Sequence, residues 1–295
     1  MKQIIKLADI SSRGGKVPPI YIYLVFILPG FTFSILVSGE VKFVPFVVSA
    51  ISIMPLMAAI NLFDDFFDFR YGLDKPNSPN SLYRRHPIFS YHVRQSYLLK
   101  WAILFSLLYF ALISLDSFLY SPVILAVGSL GFLAGYGYTG PPLRYKYYGF
   151  GEVGVFVSVL LANLLISISC LGRTVVTGIL YTIPFSFLIV IVFLVGNARD
   201  IESDSAAGLV TVPVLLGKRR TNVLVAVIGA LFYVITVVLV LFGIYGSYAI
   251  FVLVTSPLAY LSISKMHRSK YSTAEWYLGP YVFVTLLSLA VLSLF

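Results

Sequence analysis

Long apolar segments alternate with short polar segments along the whole chain. Nine apolar segments can be distinguished, each of about the 20 residues that a bilayer-spanning helix requires. The polar segments between them are rich in Gly, Pro, Tyr and charged residues. The apolar segments cover residues 20–38, 41–63, 97–115, 118–138, 152–171, 174–196, 221–243, 246–264 and 276–295. This pattern predicts an all-α polytopic membrane protein with nine transmembrane helices.

The composition agrees with this prediction. The chain of 295 residues is 59% hydrophobic and only 11% charged, whereas soluble domains carry about 25% charged residues. The single cysteine, Cys170, excludes an internal disulfide and a cysteine-based metal site. The net charge of +9 does not indicate a nucleic-acid partner, because the basic residues lie in the segments between the apolar spans.

The basic residues predict the orientation in the membrane. With the N-terminus in the cytosol, all of the 21 Lys and Arg residues except Lys42 and Arg173 fall on the cytosolic side. The C-terminus is then extracytosolic, and residues 1–19 form a retained cytosolic tail, since the apolar run after them is too long for a signal peptide. The chain is one transmembrane domain, residues 1–295, with cytosolic loops at 64–96, 139–151, 197–220 and 265–275.

One polar pattern occurs twice, each time at the cytosolic end of an apolar segment. It reads N-x-x-D-x-x-x-D-x-x-x-G and comprises Asn61, Asp64, Asp68 and Gly72 in the first copy and Asn197, Asp200, Asp204 and Gly208 in the second. Offsets of three and seven residues lie on one face of a helix, and the glycine is typical of a helix end. The copies are four spans apart, which predicts two pseudo-repeated four-helix halves with a ninth helix added.

Two such carboxylate faces predict a metal site. Carboxylates at short range repel each other, and a divalent cation relieves the repulsion, with Mg²⁺ suited to oxygen ligands and to phosphate. One motif alone is more typical of a solvated helix end, but two copies with the same spacing favour a metal–diphosphate site at the membrane surface. The candidate metal ligands are Asn61, Asp64, Asp65, Asp68, Asn197, Asp200 and Asp204.

Other polar residues near these motifs have two interpretations each. Candidate diphosphate-binding residues are Arg70, Arg84, Arg85, Tyr138, Arg144, Lys146 and Arg199. The basic residues also fit an orientation signal, and the tyrosines fit an interfacial belt. Glu152 is placed either to cap a helix or to act in the site. Asn163, within a span, either lines a cavity or bonds a neighbouring helix.

Together these motifs resemble the UbiA superfamily of intramembrane prenyltransferases. The resemblance covers most of the chain and rests on the nine spans, both Asp motifs and the Tyr-Thr-Gly-Pro-Pro loop that begins at Tyr138. After the second motif the chain continues as Gly208-x-x-Thr211-Val-Pro-Val-Leu-Leu-Gly217, which is similar to the family's sequence there.

The first motif is most similar to the menaquinone branch, the dihydroxynaphthoate prenyltransferases. Their D-x-x-D-x-x-x-G-x-D pattern is matched at Asp65, Asp68, Gly72 and Asp74. The chain departs from that branch at a few positions. Asp64 stands where Asn is usual, Ser205 and Leu209 stand where basic residues are usual, and Arg85-His86-Pro87 only loosely matches the usual Arg-Pro.

The resemblance implies a helical fold around a central cavity that opens laterally to lipid. It implies Mg²⁺-dependent transfer of a polyprenyl chain, such as geranylgeranyl, from its diphosphate to an aromatic acceptor, with dihydroxynaphthoate expected. Two Mg²⁺ ions and an active site that faces the cytosol are expected. The catalytic residues would be Asp65, Asp68, Asp200 and Asp204, and Asp74, Glu152 and Asn163 are further candidates.

Two other functions fit parts of the pattern. A membrane terpene cyclase of the same superfamily would ionise the same substrate and trap the cation internally. A divalent-cation transporter would use intramembrane carboxylates, but both Asp motifs lie at one surface. A structural scaffold would leave the repeated motif unexplained.

Overall fold

The described part of the chain is helical almost throughout. The computed structural model describes residues 7, 9–10, 20–76, 85–268 and 270–295. The predicted tail, residues 1–19, therefore lies largely outside the described residues. The helices are α1 (Ile20–Val25), α2 (Leu28–Ser38), α3 (Phe43–Arg70), α4 (Pro87–Tyr91), α5 (Gln95–Leu119), α6 (Val123–Tyr136), α7 (Gly151–Leu171), α8 (Thr177–Arg199), α9 (Ile201–Ala206), α10 (Val212–Leu241), α11 (Ser256–His267) and α12 (Tyr271–Leu292). Short 3₁₀ helices cover Tyr145–Tyr147 and Ser247–Thr255.

Seven helical segments within the described residues are long and apolar enough to cross a membrane. They are Phe43–Arg70, Gln95–Leu119, Gly151–Leu171, Thr177–Arg199, Val212–Leu241, Ser247–His267 and Thr273–Leu292. Two shorter apolar helical segments, Ile22–Ser38 and Val123–Tyr136, lie where the first and fourth spans were predicted. The all-α prediction is confirmed, while the count of nine spans and the pseudo-repeat stay predictions.

Helix α8 lies at the centre of the bundle. It packs against α2, α7, α10 and α12, and 67% of its apolar window is buried, compared with 28% for α3, α5 and α10. The outer helices leave leucine, valine and phenylalanine side chains exposed on their outer faces. Such faces are expected in lipid, where an exposed apolar side chain has no reason to be buried.

Helix α3 continues beyond the predicted end of the second span at residue 63 and reaches Arg70. Its last two turns carry Asp64, Asp65 and Asp68, which are all buried. A helix holds its backbone bonds internally, so it can continue where the hydropathy falls, provided that its carboxylates find partners. The acidic motif therefore belongs to the helix and not to the predicted loop.

Asn163 of α7 holds the junction between α1 and α2. Its side-chain amide donates a hydrogen bond to the carbonyl of Val25 at 2.8 Å and accepts one from the Gly30 N–H at 2.7 Å. A Cβ at Gly30 would lie 2.3 Å from the Asn163 carbonyl oxygen, so only glycine permits this approach. Of the two sequence interpretations of Asn163, the structure shows the bond to a neighbouring helix.

Candidate functional site

Both acidic motifs face one polar cavity at the end of the helix bundle. The cavity has a volume of about 360 Å³. Its polar lining comprises Asp64, Asp68, Asp74 and Lys75 from the first motif and the chain after it, Tyr138, Lys146 and Glu152, and Asn197, Asp200, Ser203, Asp204 and Thr211 from the second motif and the chain after it. The predicted convergence of the two motifs is therefore present in the fold.

The two motifs also end in the same local structure. Gly72 and Gly208 have φ angles of 77° and 74°, in the left-handed region that favours glycine. The following N–H groups, of Leu73 and Leu209, donate to the carbonyls of Asp68 and Asp204 at 2.9 and 2.8 Å. These bonds close the chain over each helix end.

The second motif differs from the first in one respect. Helix α8 ends at Arg199 and α9 begins at Ile201, so the helix is interrupted at Asp200. The continuous helical face predicted for this motif is therefore wrong for the second copy. Despite the interruption, Asn197, Asp200 and Asp204 all lie on the cavity wall.

Lys146 pairs directly with two carboxylates of the first motif. Its Nζ donates to Asp64 Oδ1 at 2.9 Å and to Asp68 Oδ2 at 2.6 Å. The Tyr147 hydroxyl donates to Asp68 Oδ1 at 2.7 Å. Burial alone would lower the pKa of Lys146, but the Asp68 carboxylate and neighbouring tyrosines raise it, so the side chain stays protonated.

A short loop brings Lys146 to this position. The 3₁₀ helix Tyr145–Tyr147 lies between α6 and α7, and Tyr148 forms a parallel β-bridge with Val210, just after the second motif. Arg144, two residues before Lys146, adopts a φ of 47° and places its guanidinium 4.4 Å from the centroid of the Tyr71 ring. Arg144 does not line the polar cavity, so only one of these two predicted cations faces it.

The Arg199 guanidinium forms hydrogen bonds with two carboxylates. It donates from Nε and Nη2 to Asp200 at 2.8 and 2.6 Å and from Nη1 to Glu275 Oε1 at 2.7 Å. Such two-sided pairing leaves its guanidinium few donors for a ligand. Glu275, in the first turns of α12, was not predicted as a site residue. Its partner lies 76 positions away in the sequence, and no local pattern indicates the pairing.

We expect Glu275→Ala to lower the free energy of unfolding by about 1–3 kcal/mol, because it removes a charged, partly buried hydrogen-bond partner. Glu202→Ala is the matched control. Glu202 pairs with Lys218 at the same 2.7 Å, but its side chain is 85% exposed compared with 30% for Glu275. Exposed pairs contribute little, so denaturation in detergent should show no comparable loss for Glu202→Ala. Equal losses would contradict the expectation.

Asp65 belongs to a second buried group beside the cavity. Ligand atoms of Asp65, Asp74 and His86 lie within 4.8 Å of one another, and all three residues are buried. The Ile88 N–H donates to His86 Nδ1 at 3.2 Å, which leaves the proton of the neutral ring on Nε2. Nε2 lies 2.9 Å from Asp74 Oδ2, so in this tautomer His86 donates to Asp74.

The remaining predicted site residues lie in different surroundings. Asn61 lines a neighbouring apolar cavity, and Asp65 lines neither cavity. Arg70 is exposed at the end of α3, and the exposed Arg85 lies 3.8 Å from Asp9. Arg84 lies outside the described residues. At the polar cavity the structure therefore gathers Lys146, Tyr138 and the predicted carboxylates other than Asp65, but not Arg70, Arg85 or Arg144.

Glu152 lies in the first turn of α7 and also lines the cavity. Its Oε1 accepts a hydrogen bond from the Asn197 side chain at 2.9 Å. Its Oε2 is buried and has no hydrogen-bond partner within the described part of the chain. Glu152 is therefore both at the helix start and on the cavity wall, and its role in the site stays a prediction.

The apolar cavity has a volume of about 300 Å³ and adjoins the polar one. Asp64, Tyr138 and Phe193 line both cavities. The rest of its wall is almost entirely apolar and comes from α1, α3, α5, α6 and α7. A ligand with a charged head and a long apolar tail fits this pair of cavities.

Comparison with known proteins identifies the family. A model of the UbiA prenyltransferase family matches residues 23–291. The chain belongs to the UbiA prenyltransferase family. The resemblance seen in the sequence is thus confirmed, and the apolar helices together with this family make the chain an integral multi-pass membrane protein.

This UbiA family member has curated and structural relatives. The 1,4-dihydroxy-2-naphthoate octaprenyltransferase of Bacillus subtilis is 30% identical over 209 residues, which are 69% of this chain and 65% of that protein. The matched region is thus slightly less than two thirds of that relative's length. A UbiA homologue from Aeropyrum pernix has a TM-score of 0.69 at 15% identity, covering 90% of this chain and 96% of its own.

A third relative was solved with ligands. The structure of a UbiA homologue from Archaeoglobus fulgidus, bound to DMAPP and Mg²⁺, has a TM-score of 0.63 at 16% identity and covers 96% of this chain and 99% of its own. At this identity the likeness to both structures shows the fold of the UbiA family. The described helices of this chain therefore adopt that fold.

The acidic cavity of this UbiA family member should bind cations in a pH-dependent way. Burial raises the pKa of Asp204 from 3.8 to about 7, and the carboxylates of Asp200 and Asp68 act in the same direction. Because the folded pKa lies above the ordinary value, ionisation of Asp204 opposes folding as the pH rises towards 7, and a bound cation favours the ionised form.

We therefore expect Mg²⁺ affinity to rise between pH 6 and pH 7, by at most about tenfold for the one proton released, and to level off above pH 8. Calorimetric titration of the purified protein at several pH values measures it. Asp204→Asn should bind Mg²⁺ more weakly and lose most of this slope. An affinity that does not change with pH would contradict the expectation.

Proposed function

We propose that this chain transfers a polyprenyl group from its diphosphate to an aromatic acceptor, and that the acceptor is dihydroxynaphthoate in lipid quinone biosynthesis. The observation that carries the proposal is the junction of the two cavities. An acidic cavity, lined from two Asp motifs, meets an apolar cavity at Asp64, Tyr138 and Phe193. The named activity of the Bacillus subtilis relative supports the choice of acceptor.

The donor set fits Mg²⁺. Carboxylate oxygens of Asp64, Asp68, Asp200 and Asp204 and the side-chain oxygen of Asn197 line one cavity, and hard oxygen donors are those that Mg²⁺ prefers. Mg²⁺ held there, in two ions as the family pattern implies, would neutralise the diphosphate and stabilise it as a leaving group. The Archaeoglobus fulgidus homologue, solved with DMAPP and Mg²⁺, supports this assignment.

Lys146 gives the diphosphate a further cationic partner. Its ammonium has three donors, and it now satisfies Asp64 and Asp68 across one wall of the cavity. A diphosphate in the cavity would accept hydrogen bonds from the same ammonium, and the negative charge that develops on departure would be stabilised there. Arg199 acts indirectly, because its hydrogen bonds hold the Asp200 carboxylate in place.

The aromatic side chains at the junction of the two cavities are suited to stabilise the allylic cation that remains after the diphosphate leaves. Tyr138 and Phe193 line both cavities, so their rings lie beside the boundary between head and tail. Aromatic faces stabilise cations by about 0.5–2 kcal/mol. The electron-rich carbon of the acceptor attacks the allylic cation, and the ring then loses a proton. Glu152 Oε2, buried and unpartnered among the described residues, is placed to accept it.

The orientation follows from the positive charges. The polar cavity lies at the ends of α3 and α8 that the basic residues predict to be cytosolic. We infer that a diphosphate and a water-soluble acceptor enter from the cytosol, while the tail lies between helices. In this arrangement the N-terminus is cytosolic and the C-terminus extracytosolic.

The test is a turnover assay on purified protein with Mg²⁺ and geranylgeranyl diphosphate, with and without dihydroxynaphthoate, and with products resolved by mass. The proposal predicts a prenylated naphthoate-derived product that appears only with the acceptor. Diphosphate release with a hydrocarbon or alcohol product in both reactions would contradict it and favour a cyclase. Diphosphate release that depends on a different aromatic acceptor would contradict the choice of dihydroxynaphthoate but would support prenyl transfer.

A further inference from the structure

The apolar cavity has a measurable depth. Its wall follows α3 from Asp64 back to Ile53, α6 from Gly135 back to Val127, and α7 from Val155 to Leu165. At a rise of 1.5 Å per residue, these stretches are about 12–17 Å long. Three helices thus give a consistent length for the space beyond the acidic site.

Tyr109 of α5 lies at the far end of this space. It packs in one buried cluster with Ile53, Val127 and Leu165, the lining residues farthest along their helices from the acidic site. The side chain is fully buried, and its hydroxyl donates to the Gly128 carbonyl at 2.9 Å. This bond fixes the ring in place, because the alternative is an unpaired hydroxyl in an apolar environment.

The structure behind Tyr109 is closed. Ile113 and Ile124, in the same cluster, are completely buried. A Cβ at Gly128 would lie 2.8 Å from Ile113 Cδ1 and 3.0 Å from the Tyr109 hydroxyl, so the Tyr109 ring is tightly packed on this side. A tail that reaches Tyr109 must therefore stop, push the ring aside or leave the cavity sideways.

Gly131, halfway along the cavity, has free space beside it. Gly131 lines the wall, and the nearest heavy atom to a Cβ built there is Leu161 Cβ at 3.9 Å. Gly135, by contrast, would place a Cβ 2.8 Å from Ile60. A larger side chain at position 131 would consequently project into the cavity without disturbing the backbone.

We propose that Tyr109 sets the length of the prenyl tail and that this chain selects donors of three to four isoprene units over longer ones. An extended chain spans at most about 3.3–3.6 Å per three bonds, so a four-bond isoprene unit spans about 4.5 Å and three to four units fill the cavity. This inference rests on the proposed transfer reaction and names its donor class. It distinguishes this chain from the Bacillus subtilis relative, which is named for an octaprenyl donor.

Selection of this kind works by exclusion. A tail gains little on moving from lipid into an apolar cavity, since both are apolar. A tail that is too long must displace a packed ring or bend out between helices. A mismatch of one methylene-sized group in a shaped apolar pocket changes kcat/KM by about 10–200-fold. Tyr109 therefore lowers the use of long donors without raising the affinity for short ones.

The experiment offers equimolar geranylgeranyl and octaprenyl diphosphates with Mg²⁺ and acceptor, and measures the product ratio by mass. Wild type should favour the shorter donor by at least about tenfold. Tyr109→Ala should shift the ratio at least about tenfold towards the octaprenyl product. Tyr109→Phe, which keeps the ring, should retain the wild-type ratio. Phe232→Ala removes an equally buried aromatic ring from α10, away from the cavity, and should also retain it.

Gly131→Leu tests the same claim without opening the core. It should reduce the use of geranylgeranyl diphosphate relative to geranyl diphosphate, which has two units. Equal use of both long and short donors by wild type would overturn the proposal. An unchanged ratio in a folded Tyr109→Ala would overturn it as well, and if that variant does not fold, Gly131→Leu decides.

A binding measurement separates this proposal from the transfer reaction. Non-reactive thiolo analogues of geranyl, geranylgeranyl and octaprenyl diphosphate can be titrated by calorimetry with Mg²⁺ and no acceptor. A length preference in binding that Tyr109→Ala removes supports the tail-length proposal even if no prenyl transfer is found. Transfer without any length preference in binding or turnover would leave the proposed function intact and overturn the role of Tyr109.

Discussion

Asp68→Asn should reduce kcat/KM for prenyl transfer by about 10³-fold, while the protein stays folded. Asp68 accepts from Lys146 at 2.6 Å and from Tyr147 at 2.7 Å and lines the acidic cavity. An amide keeps the shape of the side chain but removes the charge that, in the proposed function, would hold a divalent cation. Loss of one preorganised electrostatic contact typically costs 10²–10³-fold in rate, and the loss expected for Asp68→Asn lies at the upper end because a full charge is removed.

Asp116→Asn is the matched control for this substitution. Asp116 of α5 is also a fully buried carboxylate, which accepts from Ser169 at 2.8 Å, but it lines neither cavity. Turnover of Asp116→Asn should stay near the wild-type value. Comparable losses in both variants would show that Asp68 acts through folding and not through the site. Measurement of steady-state turnover and thermal unfolding on the same preparations distinguishes an effect on the site from an effect on folding.

Lys146→Met should lower the free energy of unfolding, and the loss should be largest in the absence of divalent cations. It removes the Lys146 ammonium that pairs with both Asp64 and Asp68, whose side chains are 4% and 3% exposed. Removal of one member of a buried ion pair typically costs about 3–5 kcal/mol. Saturating Mg²⁺ should restore more stability to this variant than to wild type, because the cation supplies the missing charge.

Lys146→Arg is the control, since it keeps the positive charge while changing its geometry. Its unfolding should respond to Mg²⁺ much as wild type does. Turnover of Lys146→Met should remain about 10²-fold or more below wild type even with Mg²⁺, because the diphosphate loses a donor. An equal Mg²⁺ response in Lys146→Met and wild type would show that Lys146 and the cation do not share the same carboxylates.

The sequence signals that predicted the helices and the two Asp motifs are local and periodic. Apolar runs of bilayer length predicted the helices, and two motifs with the same offsets predicted one face each. The structure brings Asp64 and Asp68 to the cavity together, as residues four apart on a helix should be. Asp65 is one position further along and rotated by about 100°, which explains why it lies in the group with Asp74 and His86 instead.

The contacts that sequence reasoning missed depend on backbone turns and on distant residues. Arg144 and Lys146 were equivalent candidates, but the left-handed φ of 47° at Arg144 directs its side chain onto Tyr71 while Lys146 reaches the carboxylates. Arg199 was predicted to face the diphosphate, yet Glu275 binds it from the last helix. Helix packing in a membrane leaves little periodic signal in the sequence, so such partners emerge only from the fold.

The central claim is that the two Asp motifs act together on one diphosphate. The most direct measurement is a double-mutant cycle on kcat/KM with Asp68→Asn, Asp204→Asn and the combined variant. Groups that serve one metal–diphosphate unit are strongly non-additive, so the combined variant should lose little more activity than either single variant. Losses that multiply would indicate independent roles, and normal activity of the combined variant would contradict a joint action of the two motifs on the diphosphate altogether.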